Sequence, residues 1–246
     1  MTKWYSLIDK IYRHENIYKA FRLVKRSKGA AGIDNVSICM FEDNLAFNIN
    51  KVHLELKSGD YSPSPVKGVE IPKGKGKTRP LGIPTVKDRV VQQAILNIIQ
   101  PIFEPDFHPQ SYGYRPNKSC HKAVAKARQL AVRDELSFVV DMDLSKCFDT
   151  LNHKFIMKCL NKRVSDGTLL KLIEKILKSG VMQAGEFSKT IIGSPQGGVI
   201  SPLLMNIYLN EFDQAMKTKG IEIVRYADDI LIFSKTKKKA EQYRRF

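Results

Sequence analysis

Ile221-Glu-Ile-Val-Arg-Tyr-Ala-Asp-Asp-Ile-Leu-Ile-Phe-Ser234 decides the fold: two apolar runs flank a short segment that carries adjacent carboxylates. The runs predict two strands, about 221–225 and 230–234, joined through Tyr226-Ala-Asp-Asp229. An isolated Asp-Asp in such a place is ordinarily a polar hairpin turn. Here the flanks are apolar enough to be largely buried, and unneutralised adjacent carboxylates beside them repel each other. A second apolar run, Phe138-Val-Val140, also ends in acids, at Asp141 and Asp143. If these strands are neighbours their carboxylates converge, and a hard divalent cation is the natural compensation. Two Mg²⁺ ions held between acids, with Mn²⁺ as a substitute, are a recurring device for in-line phosphoryl transfer.

Outward from that core, the pattern alternates helices and short strands. Ile17, Ala20, Phe21 and Val24 recur at helical spacing from about Asn16 to Lys28, and Gly29 is placed to end that helix. A second helix is expected from Ser37 to about Lys57. Extended runs at 66–71 and 79–83 flank Pro72-Lys-Gly-Lys-Gly-Lys-Thr78, which reads as a basic hairpin. Thr85 and Asp88 resemble a capping box opening a helix through Ile99. Helices are expected at about 153–163, 168–178 and 200–216, with a hairpin around Ala184-Gly-Glu186. The fold class is therefore α+β, with helices packed on one face of a mostly antiparallel sheet.

Composition sets the partner class. The 246 residues carry 41 Lys plus Arg against 25 Asp plus Glu, a net charge of +16, which favours a polyanion and nucleic acid above all. No apolar stretch reaches the length of a membrane span, and the N-terminal region has no apolar signal core. Cys39, Cys120, Cys147 and Cys159 include no Cys-x2-Cys pair, and the histidines show no ligand spacing, so free thiols in a reducing cytosol are expected. Lys67, Lys73, Lys75, Lys77 and Arg79 face one acid, Glu70, along the basic hairpin. Gly76-Lys-Thr78 matches the end of a P-loop, but its first glycine would fall on Ile71 and Arg79-Pro80 stands where a helix should start. A finger that clamps a triphosphate fits better.

These residues together resemble the reverse transcriptase domain of group II intron-encoded proteins, the maturases. The likeness runs in order through Lys28-Gly-Ala-Ala-Gly-Ile-Asp34, Ile71-Pro-Lys73 and Arg79-Pro-Leu-Gly-Ile-Pro-Thr85. It continues through Asp88-Arg89 with Val91-Gln92, Ser111-Tyr-Gly-Tyr-Arg-Pro116 and Asp141-Met-Asp-Leu-Ser-Lys-Cys-Phe-Asp149. It ends with Ser194-Pro-Gln-Gly-Gly-Val-Ile-Ser-Pro-Leu-Leu204 and Arg225-Tyr-Ala-Asp-Asp229. Retron enzymes share the last block but usually lack this Pro-Gln-Gly-Gly form, and they stand second.

The resemblance implies a right-hand polymerase, with fingers over 1–135 and a palm over 136–246, that copies RNA into DNA. Asp143, Asp228 and Asp229 would be catalytic, with Asp143 and Asp228 the principal metal ligands, Asp229 a weaker one, and the Leu144 carbonyl assisting. Asp141 is a less certain member, and Asp149 is expected to cap or buttress the following helix. Lys73 and Arg79 would bind the nucleotide phosphates, Arg as a fork and Lys as a point charge. Gln196 would contact the new base pair, while Phe148 would exclude a 2′-hydroxyl from beneath the incoming sugar. Tyr112, Tyr114 and Arg115 stack on template bases or buttress the fold, and Lys19, Arg22, Lys25, Arg26 and Lys28 track phosphates or are simply solvated.

Implied partners are an RNA template, a DNA or RNA primer, deoxynucleoside triphosphates and the intron RNA, with no membrane, in the cytoplasm of a bacterial or organellar host. The family continues beyond the point matching Phe246 with a thumb and maturase region, so a thumbless fragment is expected. Two rivals are a non-catalytic RNA-binding fragment and an RNA-dependent RNA polymerase, against which Phe148 argues.

Overall fold

The computed structural model describes residues 2–244 except 75, 76, 184, 191, 195 and 196; the side chains of Lys73, Lys77 and Arg79 also lie outside the description. Helices α1 (Ile8–Ile11) and α2 (His14–Arg26) come first, and Ile17, Ala20, Phe21 and Val24 of α2 are buried as their spacing predicts. The single helix expected from Ser37 to Lys57 is two, α3 (Ile38–Asp43) and α4 (Leu45–Ser58). Asn44 breaks it at φ −118° and ψ 38°, a residue type whose side chain competes with helical backbone bonds. The Asn48 amide then donates to the freed Phe41 carbonyl at 2.9 Å.

Strands β1 (Val66–Gly74) and β2 (Lys77–Ile83) form the expected basic hairpin, paired antiparallel from Lys67↔Ile83. Helix α5 (Val86–Phe103) opens on the expected box: Asp88 N donates to Thr85 Oγ1 at 3.1 Å, and that hydroxyl donates to the Asp88 carboxylate at 2.7 Å. Helix α6 (Cys120–Arg128) runs into a π-helical turn, Gln129–Arg133, and has no counterpart among the expected elements. Its buried residue is Ala123 alone, with Leu130 in the turn, too sparse a pattern to read as periodic.

The second half holds β3 (Phe138–Asp143), α7 (Cys147–Thr150), α8 (His153–Leu160), α9 (Gly167–Leu177), β4 (Val181–Gln183) and β5 (Glu186–Ser188). It ends with α10 (Ser201–Thr218), β6 (Glu222–Tyr226), β7 (Asp229–Ser234) and α11 (Lys237–Tyr243). Asn152, not Asp149, caps α8, its side chain accepting from Phe155 N at 3.1 Å. No helix among the described residues is long and apolar enough to cross a membrane.

The chain divides into two compact units, each assembled from two stretches. The first joins the residues up to Ile102 with Phe148–Ser201 and carries a mixed sheet in the order β2-β1-β4-β5. In it β4 runs parallel to β1, with Val66 opposite Val181. The second joins Phe103–Cys147 with the chain from Pro202 onward and carries an antiparallel sheet in the order β3-β7-β6. Helices pack on both faces of this second sheet, not on one as expected. Met216, Phe212 and Tyr243 lie with Ile223, Ile230 and Ile232 on one face, whereas Ala123, Leu130 and Tyr112 lie with Val224 and Phe233 on the other. Ile223 and Val224 of β6 and Ile230, Leu231, Ile232 and Phe233 of β7 alternate between the two faces, so both faces carry apolar side chains and require cover.

Candidate active site

The two acid-ended strands are neighbours. β3 and β7 pair antiparallel with Val139 opposite Phe233, Asp141 opposite Leu231 and Asp143 opposite Asp229. Directly opposed residues share a face, with Cα atoms about 4.5–5.5 Å apart, so Asp141, Asp143 and Asp229 stand together while Val140 and Met142 point into the core beneath. Ala227 and Asp228 form the two-residue turn between Tyr226 and Asp229. Burial first, and then the carboxylates of Asp228, Asp143 and Asp141, push the Asp229 carboxyl above its usual 3.8. The donor set suits a hard divalent cation: carboxylate oxygens whose mutual repulsion a cation relieves, beside the carbonyl of Leu144, which accepts from Cys147 N at 3.1 Å. Among the described residues no three Asp, Glu, His or Cys are gathered into a ready metal cage.

The turn that carries Asp228 is held by groups the sequence reading passed over. Ala227 sits at φ +58°, in the left-handed region that disfavours a side chain. Residues 110–112 run beside β6: Arg225 N donates to Gln110 O at 3.0 Å, and Tyr112 N donates to Arg225 O at 2.8 Å. A Cβ on Gly113 would lie 2.2 Å from Ala227 N, so only glycine lets this segment lie against the turn. Arg225 is fully buried and donates to both oxygens of Asp213 at 2.6–3.0 Å, to Asn206 Oδ1 at 2.9 Å and to the Ala227 carbonyl at 2.9 Å. Asn206 Nδ2 in turn donates to the Gly113 carbonyl at 2.9 Å. A signal for this was present: Arg225 follows Ile223 on the inward side of a strand, and Asn206 and Asp213 lie seven apart on one helix face.

The residues expected to hold the nucleotide belong to the first unit. Lys73 and Arg79 lie on β1 and β2, with Arg79 opposite Ile71, and their side chains fall outside the described residues, as does the whole of Gln196. Phe148 is buried, 6% exposed, and its carbonyl accepts from Ser194 N at 2.7 Å. The loop toward Gln196 is framed by Gly193 N donating to Leu151 O at 2.8 Å and by Ser194 Oγ donating to Ser201 Oγ at 2.6 Å. Gly197, at φ +110°, passes so close to β2 that a Cβ would meet Gly82 O at 2.4 Å.

Among the weaker expectations, Tyr112 packs in the core of the second unit, and Arg115 forks onto Glu104 at 2.8–3.0 Å and onto the His108 and Ser111 carbonyls. Both therefore buttress the fold; Tyr114 is 55% exposed. Lys19, Arg22, Arg26 and Lys28 are exposed, and Lys25 pairs with Glu42.

Asp141 and Asp143 of β3, Asp229 of β7 and Asp228 in the turn between β6 and β7 thus come together at one end of the antiparallel sheet. Residues 71–245 match the family described as "Reverse transcriptase (RNA-dependent DNA polymerase)", and the chain belongs to that family. It is 45% identical over 213 residues to Protein YkfC of Escherichia coli (strain K12), covering 85% of this chain and 56% of that protein. It is 36% identical over 219 residues to the group II intron-encoded protein LtrA of Lactococcus lactis subsp. cremoris, covering 85% of this chain and 35% of that one. Among solved structures, a chain of a partial Cas6-RT-Cas1–Cas2 complex superposes with a TM-score of 0.62 at 25% identity, over 96% of this chain and 39% of that chain. The chain thus spans little more than half the length of one curated relative and about a third of the other.

Proposed function

We infer that this chain is the RNA-directed DNA polymerase domain of a group II intron-encoded protein, adding deoxynucleotides to a primer 3′-hydroxyl on an RNA template. The observation that carries the reading is the register that sets Asp143 opposite Asp229, one residue from Asp228 in the turn. Asp143 and Asp228 would be the principal ligands of two Mg²⁺ ions, with Asp229 and the Leu144 carbonyl assisting. When bound, these ions supply activation of the attacking oxygen and charge neutralisation at the triphosphate, with Mn²⁺ able to substitute. Lys73 and Arg79 would hold the nucleotide phosphates, Gln196 would contact the nascent pair, and Phe148 would exclude ribonucleotides by its bulk.

In this reading residues 1–135 serve as fingers and 136–246 as palm, and intron RNA is a partner of the full-length protein. The kinship with LtrA supports the intron assignment.

Single-nucleotide primer extension on an annealed RNA template tests it, using Mg²⁺, one matching deoxynucleotide or ribonucleotide, and Asp228→Asn as control. Addition of the deoxynucleotide alone, abolished in the variant, is the expected result. Tight RNA binding with no addition by either protein would instead mark a non-catalytic RNA-binding domain, and equal use of ribonucleotides would overturn the Phe148 assignment.

A further inference from the structure

We propose that Arg225 is a positioning residue for the catalytic turn, acting with Asp213 and Asn206 as a clamp on the two peptide planes that flank Ala227. The proposal rests on the polymerase reading of Asp143 and Asp228, and it assigns a role to buried groups which that reading leaves unused.

Arg225 lies on the opposite face of the sheet from Asp141, Asp143 and Asp229, the face where Ile223 packs with α10 residues. From there its guanidinium passes under the turn to the Ala227 carbonyl, 2.9 Å away. That bond fixes the peptide plane from which the Asp228 backbone begins. The preceding plane is bounded from another side, because Gly113 leaves no space between itself and Ala227 N. Asn206 ties the two restraints together, accepting from Arg225 with its oxygen and donating to the Gly113 carbonyl with its nitrogen. A non-glycine residue in the left-handed region persists only where its surroundings over-determine it, and Ala227 at φ +58° is held in this way.

Charge separates positioning from electrostatics. Arg225 and Asp213 are both 0% exposed and bonded through two guanidinium nitrogens, so the cation is matched within the core. A matched pair presents no net charge to the carboxylates on the other face, and its effect on Asp228 is therefore geometric. Stability alone does not require such a pair, since well-packed apolar replacements of buried ion pairs are often neutral or stabilising. What apolar replacements cannot supply is the donor to the Ala227 carbonyl.

The test follows from that difference. The double variant Arg225→Met with Asp213→Leu removes the clamp without leaving an unpaired buried charge. It is compared with wild type by thermal unfolding, by the maximal rate and half-saturating deoxynucleotide concentration of single-nucleotide addition, and by hydrogen–deuterium exchange of the peptide spanning 224–231. The expected result is a double variant that is still folded at the assay temperature, a maximal rate lower by about 10–100-fold, the usual loss when an orienting partner of a ligand is removed, and an unchanged half-saturating concentration. Exchange in 224–231 should rise while that of the β1–β2 hairpin stays as in wild type. A folded double variant with the wild-type rate and exchange overturns the proposal. Should wild type itself fail to extend the primer, the polymerase reading falls, and exchange at the turn still decides whether Arg225 holds it. If the double variant does not fold, Arg225→Lys, which keeps a cation beside Asp213 but lacks the fork, carries the same readouts.

Discussion

At the scale of single residues, the acids and the aromatic ring differ in how far their neighbours explain them. The acids gathered on one strand face and its turn form no stabilising pairs with one another; burial and the carboxylates of Asp228, Asp143 and Asp141 instead raise the proton affinity of Asp229. Phe148 is different: at 6% exposure it is a core side chain whatever else it does. Phe148→Ala is therefore expected to lower unfolding stability by about 3–5 kcal/mol in urea titration, the usual cost of emptying an aromatic site. As the proposed sugar gate it should also admit ribonucleotides in the extension assay at a temperature where the variant is folded. Loss of stability with undiminished rejection of ribonucleotides would leave Phe148 a packing residue only. Composition made the acids legible, since carboxylates ending two apolar runs are chemically out of place. It could not do the same for Tyr112 and Arg115, whose residue types suit nucleic acid equally well and whose role is set by Glu104 and by core residues distant in sequence.

At the scale of elements, legibility tracked the density of apolar side chains. The faces of α2 and α9 and the strands beside the acidic turn are rich in buried residues at regular spacing, and they lie where the pattern puts them. Helix α6 buries only Ala123, and the break at Asn44 depends on one residue, so neither rose above the surrounding sequence. The parallel pairing of β1 with β4 joins residues more than a hundred apart, beyond the reach of local periodicity.

Asp166 shows how such distant elements are secured. Its carboxylate caps α9 through Leu169 N at 3.0 Å and accepts from Leu7 N and Ile8 N at 2.7 and 2.8 Å, so one side chain ends two helices. Burial raises its proton affinity, but the backbone donors outweigh burial and hold the carboxyl below 3.8. The unfolded chain then binds the proton more readily than the folded one, so this contribution is present above the ordinary carboxyl value and is lost as pH falls through the lowered one. Asp166→Asn points an amide at the Leu7 and Ile8 donors. It should cost about 1–3 kcal/mol at neutral pH and flatten the acid limb of stability, both read from urea unfolding between neutral and acid pH. An unchanged acid limb would show that other carboxylates govern it. Gly113→Ala should lower the unfolding midpoint in a thermal scan and sharply reduce nucleotide addition as well, because a Cβ 2.2 Å from Ala227 N forces the backbone of the turn to move.

At the scale of the whole chain, the polymerase reading gives the charge of +16 the grip on nucleic acid and the cluster of acids the chemistry. Affinity for RNA comes mainly from phosphate neutralisation and counterion release, which the acids oppose rather than assist when no cation is bound. Asp228→Asn should therefore bind RNA at least as tightly as wild type in the absence of divalent ions, even though it fails to extend a primer. The exposed cations of α2 give the grip a measurable part. Lys19, Arg22 and Arg26 follow each other at helical spacing on one face, with Lys28 just beyond the helix end. Each single-strand phosphate neutralised contributes about −0.7 to the slope of log affinity against log salt, so four contacts amount to about −3. On those four contacts alone, raising salt from about 50 to about 200 mM should weaken binding by roughly 50-fold. Replacing the four by Glu should flatten the slope by at least that amount, as read by fluorescence anisotropy with a labelled single-stranded RNA. A slope indifferent to the replacement would make the α2 face a merely solvated one. The basic hairpin and the lysines of α11 would then carry the grip.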